Sequence, residues 1–216
     1  MTDPQDPRAG RTRERILLAA AAQFSHQPYD VVRLDDIIAT AGVTKGAIYF
    51  HFRSKHAVAL AVIDKQREAL TEAVTELFER RLSGLETLVE ICFLFAAEDT
   101  GDDPMRAAVN LMESIGLNAG LRASYYTEWI KHFAMLIERG ITEGDVNPAY
   151  HPEDISRLLV SLFVGVRQRS DPGNADHYVG QLERAWAYTL PGFANPSRIG
   201  YFTEYIRRRT QSSVRT

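Results

Sequence analysis

Several features that mark secreted, membrane-bound or disulfide-stabilised proteins are missing from this chain of 216 residues. Cys92 is the only cysteine, so no disulfide can form within the chain, and we expect a reducing compartment, the cytoplasm. No apolar run approaches the ~20 residues that a membrane span needs. The N-terminal stretch MTDPQDPRAGRTRER lacks the apolar core of a signal peptide. The sequence therefore predicts a protein with no membrane partner.

The common catalytic and metal-binding motifs are missing as well. The chain has no Gly-x-Ser-x-Gly, no phosphate-binding glycine loop and no Cys/His pair at zinc spacing. Its six histidines are scattered; His132 follows Trp129 by three residues, but no nucleophile or pair of acids accompanies them. We expect no enzyme activity, no metal site and no cofactor.

Charge is present but nearly balanced, with a formal net charge of −3. Residues 1–56 hold 8 basic and 6 acidic side chains, whereas the other 160 hold 17 and 22. A slightly basic N-terminal part followed by an acidic remainder is the charge distribution expected of a DNA-binding protein, although the excess of positive charge is small.

Apolar residues recur at helical spacing along most of the chain, which predicts an all-α fold. After an N-terminal arm over residues 1–10, a helix is predicted from Thr12 to about Phe24, and a long one from Ser54 to about Arg81. The stretch after Gly84 is apolar on every side, so it should be buried all round. Further helices are expected near residues 121–143, after Pro152, and from Asn195 to about Arg209. A body of this size, with such a helix inside, argues against a purely architectural DNA binder.

The stretch from Val31 to Lys55 predicts two short helices joined by a tight turn. Asp35 and Asp36 suit the first turn of one helix, and Gly42 suits its end, where a positive φ is needed. Thr44 is a good N-cap for the second helix, whose residues Ile48, Phe50 and Phe52 are available for the core. This arrangement is typical of a helix-turn-helix, in which the second helix enters the major groove of DNA.

The segment AGVTKGAIYFHFRSK resembles the DNA-binding signature of the tetracycline-repressor-type (TetR) family, in the form found in its γ-butyrolactone-receptor branch. The resemblance implies a helix-turn-helix domain over residues 1–53 and a larger ligand-binding and dimerisation domain over residues 54–216. It also implies DNA contacts, which we assign to Arg33, Thr44, Lys45, Gly46, Tyr49, His51 and Lys55.

Two of these positions have alternative interpretations. Arg33 stands where the family usually has a Thr or Ser cap, so it either reaches a phosphate or is a solvated arginine paired with Asp36. Tyr49 either donates its hydroxyl to a phosphate or packs in the core, and the inward positions of Ile48 and Phe52 favour the phosphate.

The resemblance further implies an internal cavity between the helices that begin near Ser54, Leu85 and Leu121. Trp129 lies where γ-butyrolactone receptors keep a tryptophan over their ligand, although an aromatic stripe is as often core. Gln66 falls on an apolar stripe and needs a partner, either in the protein or in a ligand. The candidate ligand-binding residues are Gln66, Phe93, Met112, Trp129, Phe133 and Phe163.

Two apolar helices near the C-terminus match the place where relatives form a four-helix dimer interface. We assign that interface to Leu158, Leu162, Val166, Leu182 and Trp186. The resulting hypothesis is a homodimeric repressor that binds a palindromic operator and is released by a small apolar or amphipathic effector, possibly a γ-butyrolactone. The alternative is a TetR-type regulator that responds to an unrelated hydrophobic molecule, or to none.

Overall fold

A computed structural model describes residues 7–101, 103–116, 121–170 and 174–213, and almost all of them are helical. The only β-type pairing among them is a single bridge between Val146 and Ala194. Helix bounds are α1 Pro7–His26, α2 Leu34–Ala41, α3 Lys45–His51, α4 Lys55–Glu79, α5 Gly84–Gly101, α6 Asp103–Ser114, α7 Leu121–Thr142, α8 Pro152–Arg169, α9 Ala175–Thr189 and α10 Ile199–Ser213, with one 3₁₀ turn at Leu190–Gly192. No helix within the described ranges has the length and apolarity to cross a membrane. The all-α prediction is confirmed.

The chain forms two compact units. Unit 1 comprises Met1–Thr71 and Asp102–Arg122, and unit 2 comprises Glu72–Gly101 and Ala123–Thr216. This division does not follow the predicted boundary at residue 53, because the first two thirds of α4 and all of α6 group with the N-terminal helices. Helix α1 also starts at Pro7, so the last four residues of the predicted arm are helical, while residues 1–6 lie outside the described ranges.

Unit 1 is built on α1, which packs against α2, α3 and α6. Its fully buried side chains include Ile16 and Phe24 from α1, Ile37 from α2 and Ile48 from α3. Asn110 fastens α6 to the end of α1, because its side-chain amide donates to the carbonyl oxygens of Phe24 and Ser25 at 3.2 and 3.3 Å. Helix α1 and the core of unit 1 therefore support α2 and α3 on their buried sides.

Unit 2 has one hydrophobic core, to which α5, α7, α8, α9 and α10 contribute. Helix α5 runs through it with Leu85, Leu88, Val89 and Phe93 fully buried, as its uniformly apolar sequence predicts. Gly84 lets α5 begin directly against α7, since a Cβ there would lie 2.3 Å from the Leu136 carbonyl oxygen.

Two buried acidic side chains tie α5 to other helices of unit 2. Glu90 accepts hydrogen bonds from the Tyr205 hydroxyl at 2.8 Å and the Arg209 Nε at 3.1 Å. Asp99 accepts from both Nε and Nη2 of Arg167 on α8, each at 3.1 Å. Because each buried carboxylate has cationic donors, the polar groups that α5 carries into the core are compensated.

Candidate nucleic-acid interface and effector site

The turn between α2 and α3 has the geometry that its sequence predicts. Gly42 adopts a left-handed conformation, φ 59° and ψ 39°, just past the last turn of α2. Thr44 caps α3, because its hydroxyl oxygen accepts a hydrogen bond from the Ala47 N–H at 3.2 Å. The two short helices therefore form a helix-turn-helix with both inner ends capped.

Arg15 is a contributor to this turn that sequence reasoning missed. Its Nη2 donates to the carbonyl oxygens of Ala41 at 2.6 Å and Gly42 at 3.1 Å, which satisfies groups left free at the end of α2. The contact joins α1 to α2 across 26 positions, so no local sequence pattern signals it.

The start of α2 has no side-chain cap, but an acidic side chain of its first turn bonds back to the residue before the helix. The Asp36 carboxylate accepts a hydrogen bond from the Arg33 backbone N–H at 3.0 Å. A guanidinium has no acceptor atom, so only this half of a capping box can form. The Arg33 side chain is exposed, which leaves it accessible to a phosphate.

Helix α3 has a buried side and an exposed side. Ile48 is completely buried and Phe52, just past the helix, is nearly so. Lys45 and Gly46 are exposed, and Tyr49 is 50% exposed. Phe50 was predicted to be available for the core, but its side chain is 66% exposed, because it lies on the side of α3 opposite Ile48.

The predicted contacts Lys45, His51 and Lys55 differ in their surroundings. Lys45 lies 3.7 Å from Asp35 in an exposed pair that costs little to break. Burial lowers the pKa of His51, and the positive charge of Arg13 lowers it further, so its ring is neutral at pH 7 and offers an uncharged N–H.

Lys55 points inward. Its ammonium donates to the carbonyl oxygens of Tyr29 at 2.7 Å and Val32 at 2.8 Å, and lies 4.2 Å from the centre of the Tyr29 ring. These contacts fix the loop before α2, so we leave Lys55 out of the proposed interface.

The six candidate effector residues fall into two groups. Gln66 and Met112 are buried in unit 1, whereas Phe93, Trp129, Phe133 and Phe163 belong to unit 2. Gln66 borders a hollow of about 20 Å³ within unit 1, which also touches Leu17 and Pro104. That volume admits one water molecule and not an effector.

Trp129 is the centre of an aromatic cluster in unit 2. Its ring centre lies 4.5 Å from that of Phe95 and 5.6 Å from that of Phe133, both in edge-to-face geometry. The Tyr125 ring is 6.0 Å away, also in edge-to-face geometry. Burial raises the pKa of Tyr125, so it is an uncharged hydrogen-bonding group in an apolar setting.

Phe95, not Phe93, is the α5 residue that faces this cluster. The Phe93 ring instead lies 5.5 Å from the Arg209 guanidinium of α10. Side chains that are two positions apart on a helix project about 200° apart, so only one of Phe93 and Phe95 can face Trp129. The prediction of Phe93 could not distinguish the two residues, because a helix that is apolar on every side gives no sign of which side faces which neighbour.

Trp186 has a different place from the one predicted. It was assigned to the dimer interface together with Leu182, but both are almost fully buried within the protomer, where they pack in the core of unit 2. The Trp186 ring lies 5.3 Å from that of Phe163. Its indole N–H is buried and has no hydrogen-bond acceptor among the described residues.

The other interface candidates are on α8. Leu158 is exposed, while Leu162 and Val166 are half-buried, at the four-residue spacing of one helical stripe. Tyr188 on α9 is 84% exposed and was not predicted from the sequence.

Comparison with known proteins places these features in a family. Residues 16–62 match the model of "Bacterial regulatory proteins, tetR family". The A-factor receptor protein of Streptomyces griseus is 32% identical over 197 residues, which is 90% of this chain and 68% of that protein.

Solved structures agree along nearly the whole chain. A γ-butyrolactone receptor (ArpA-like protein) has a TM-score of 0.80 and 28% identity, covering 95% of this chain and 99% of that one. CprB of Streptomyces coelicolor, solved in complex with its operator sequence, has a TM-score of 0.77 and 27% identity, covering 95% and 99%. The chain therefore belongs to the tetR family of bacterial regulatory proteins, and it is a DNA-binding transcriptional regulator.

Proposed function

We propose that two copies of this chain bind a two-fold symmetric DNA operator, repress transcription in the cytoplasm, and release the DNA when a small amphipathic molecule binds unit 2. The observation that carries the proposal is the exposed side of α3, a capped helix whose glycine and aromatic residues have no function in the core of unit 1. One relative has been solved with its operator, which supports DNA as the partner.

The contacts expected at DNA follow from where each side chain lies. Thr44 and Lys45 stand at the start of α3, where backbone N–H groups and positive charge favour a phosphate or a base edge. Tyr49 presents its hydroxyl one turn further on, Arg33 precedes α2, and His51 is the last residue of α3. Most of these contacts are to phosphate, so they position the protein more than they select a sequence.

Replacing Tyr49 by Phe is expected to weaken operator binding about fivefold, because one hydrogen bond to a charged phosphate is lost while the ring remains. Fluorescence anisotropy on a duplex enriched by the wild-type protein from a random 30-base-pair library measures the change. Tyr150→Phe is the matched control, since Tyr150 is also about half exposed but lies beyond α7. Equal affinities for both variants would show that the Tyr49 hydroxyl does not contact DNA.

For the effector we propose the surroundings of Trp129 in unit 2. Ligand sites are mostly apolar with a few polar groups, and here Phe95 and Phe133 supply apolar walls while Tyr125 supplies a hydroxyl. Because similar proteins are named as γ-butyrolactone and A-factor receptors, a γ-butyrolactone is the effector class that we propose first. The alternative is another hydrophobic metabolite of similar size.

The unpaired indole N–H of Trp186 favours an effector that carries oxygen. A buried donor without an acceptor typically costs about 1–3 kcal/mol, which a carbonyl or hydroxyl oxygen would recover on binding. Trp186 packs beside Phe163, one of the candidate effector residues, within the same core that Trp129 adjoins.

Replacing Trp129 by Ala is expected to weaken binding of a 2-acyl-γ-butyrolactone about 30-fold, because a large apolar contact is removed, and to spare operator binding. Thermal shift gives the first readout. Since the chain has only two tryptophans, Trp129→Phe leaves Trp186 as the sole indole, whose N–H resonance should shift when the lactone binds. A Trp129→Ala protein that still responds to the lactone but no longer binds DNA would rule out this site.

Dimerisation is proposed through the stripe of α8 that holds the exposed Leu158 and the half-buried Leu162, together with Tyr188 of α9. A two-fold axis makes one such patch face its own copy and sets two recognition helices about 34 Å apart, one turn of DNA. Light scattering should then give twice the chain mass of 24.3 kDa.

The proposed response is a shift in population. Helix α4 belongs to both units, with its first part in unit 1 and its last part in unit 2, so it connects the effector site to the DNA-binding helices. To release the operator, the effector must bind the non-DNA-binding conformer more tightly by a few kcal/mol, because equal affinity for both conformers shifts nothing.

A further inference from the structure

The Phe50 side chain is the largest apolar group on the outward side of α3. It is 66% exposed. The neighbouring Ile48 and Phe52, in contrast, are buried and hold α3 in the core of unit 1. The His51 ring lies 5.0 Å from the Phe50 ring in edge-to-face geometry and supports it. The exposed Phe50 ring is therefore an apolar site within a polar surface, to which Lys45 and Tyr49 also belong.

Gly46 provides a second, independent sign that this side meets a partner. Its backbone does not have the positive φ that requires glycine, and a Cβ built there would meet only the Thr44 hydroxyl, at an ordinary 3.9 Å. The fold therefore has room for a side chain at position 46. Because glycine has no side chain, the backbone beside Phe50 is accessible, and another molecule can approach it closely.

Helical geometry places these two residues together at the centre of the exposed side. At about 100° per residue, Gly46 and Phe50 project within about 40° of each other, and each is about 160° from the buried Ile48. Tyr49 projects about 100° to one side of Phe50, which suits a contact with the DNA backbone at the edge of the groove. Phe50 then faces the groove floor.

We infer that Phe50 contacts the C5-methyl group of a thymine in the major groove, and so selects sequence at that position. The inference rests on the proposed binding of DNA through α3. A phenyl ring has no hydrogen-bonding group, and among the base edges of the major groove the thymine methyl is the apolar group that it can contact. The occupant of this apolar site is therefore a thymine, recognised by shape and desolvation.

The test combines protein and DNA substitutions on the duplex enriched by the wild-type protein. Each symmetry-related pair of thymines is replaced in turn by deoxyuridine, which removes only the methyl group, and dissociation constants are measured at one salt concentration. For wild type we expect one pair whose replacement weakens binding about fifteenfold, as the loss of two buried methyl groups, one in each half-site, predicts. Phe50→Ala should bind the intact duplex at least about fifteenfold more weakly and be insensitive at that pair.

Phe78→Ala is the matched control, because Phe78 is also a half-exposed phenylalanine but lies near the end of α4, and it should behave as wild type. Thermal unfolding of Phe50→Ala should match wild type, since little packing is lost. The inference is overturned if Phe50→Ala keeps the full thymine dependence, or if it binds the intact duplex as tightly as wild type. If the wild-type protein enriches no duplex, the proposed function itself fails, and this inference with it.

Discussion

Replacing Arg167 by Met is expected to lower the free energy of unfolding by about 3–5 kcal/mol, because it leaves a charged carboxylate without its partner inside the protein. Asp99 and Arg167 are both largely buried in unit 2, and the guanidinium makes two parallel hydrogen bonds to the carboxylate at 3.1 Å. Both charges lose their hydration when they are buried, and their mutual attraction compensates for that loss. When the arginine is removed, the desolvation cost of the aspartate is no longer compensated by this pair. Urea unfolding measures the change.

Two further variants separate this explanation from general damage. Arg157→Met removes an exposed pair with Glu153 on the same helix, at 3.5 Å, and should cost less than about 0.5 kcal/mol. Combining Asp99→Leu with Arg167→Met should recover most of the loss, because no uncompensated charge then remains. Equal costs for Arg167→Met and Arg157→Met would contradict a buried ion pair.

Replacing Gly46 by Ala is expected to change stability and DNA affinity in opposite directions. The fold has room for the methyl group, and alanine restricts the unfolded chain, so unit 1 should gain about 0.5 kcal/mol. The same methyl group stands on the side of α3 that we propose faces the DNA, where it would hold the helix away from the groove. Operator affinity should therefore fall at least about tenfold, because several contacts lengthen together.

Gly200→Ala provides the matched comparison for this result. Gly200 lies in α10, is exposed and has open space around it, so the substitution should also stabilise without any change in DNA binding. Thermal unfolding and fluorescence anisotropy on the enriched duplex report the two properties separately. If Gly46→Ala binds DNA as wild type does, α3 does not approach the duplex closely at this position.

Local chemistry explains why the helix-turn-helix could be predicted from the sequence. Its turn depends on a glycine at a positive φ, a threonine cap and apolar residues a few positions apart, and all of these act within about ten residues. The match to the tetR family over residues 16–62 confirms the family prediction that rested on the same stretch. The individual DNA and effector contacts remain predictions.

By contrast, the direction in which each apolar side chain points was decided by tertiary packing. Phe50, Phe93 and Trp186 are all apolar residues at helical spacing, yet one faces solvent, one faces α10 and one is sealed in the core of unit 2. The sequence by itself determined the all-α fold, the short helices and the family, because these depend on neighbours along the chain. Only the tertiary structure decided that Lys55 points inward, that Phe95 adjoins Trp129 and that Arg167 meets Asp99, because burial and pairing depend on partners dozens of residues away.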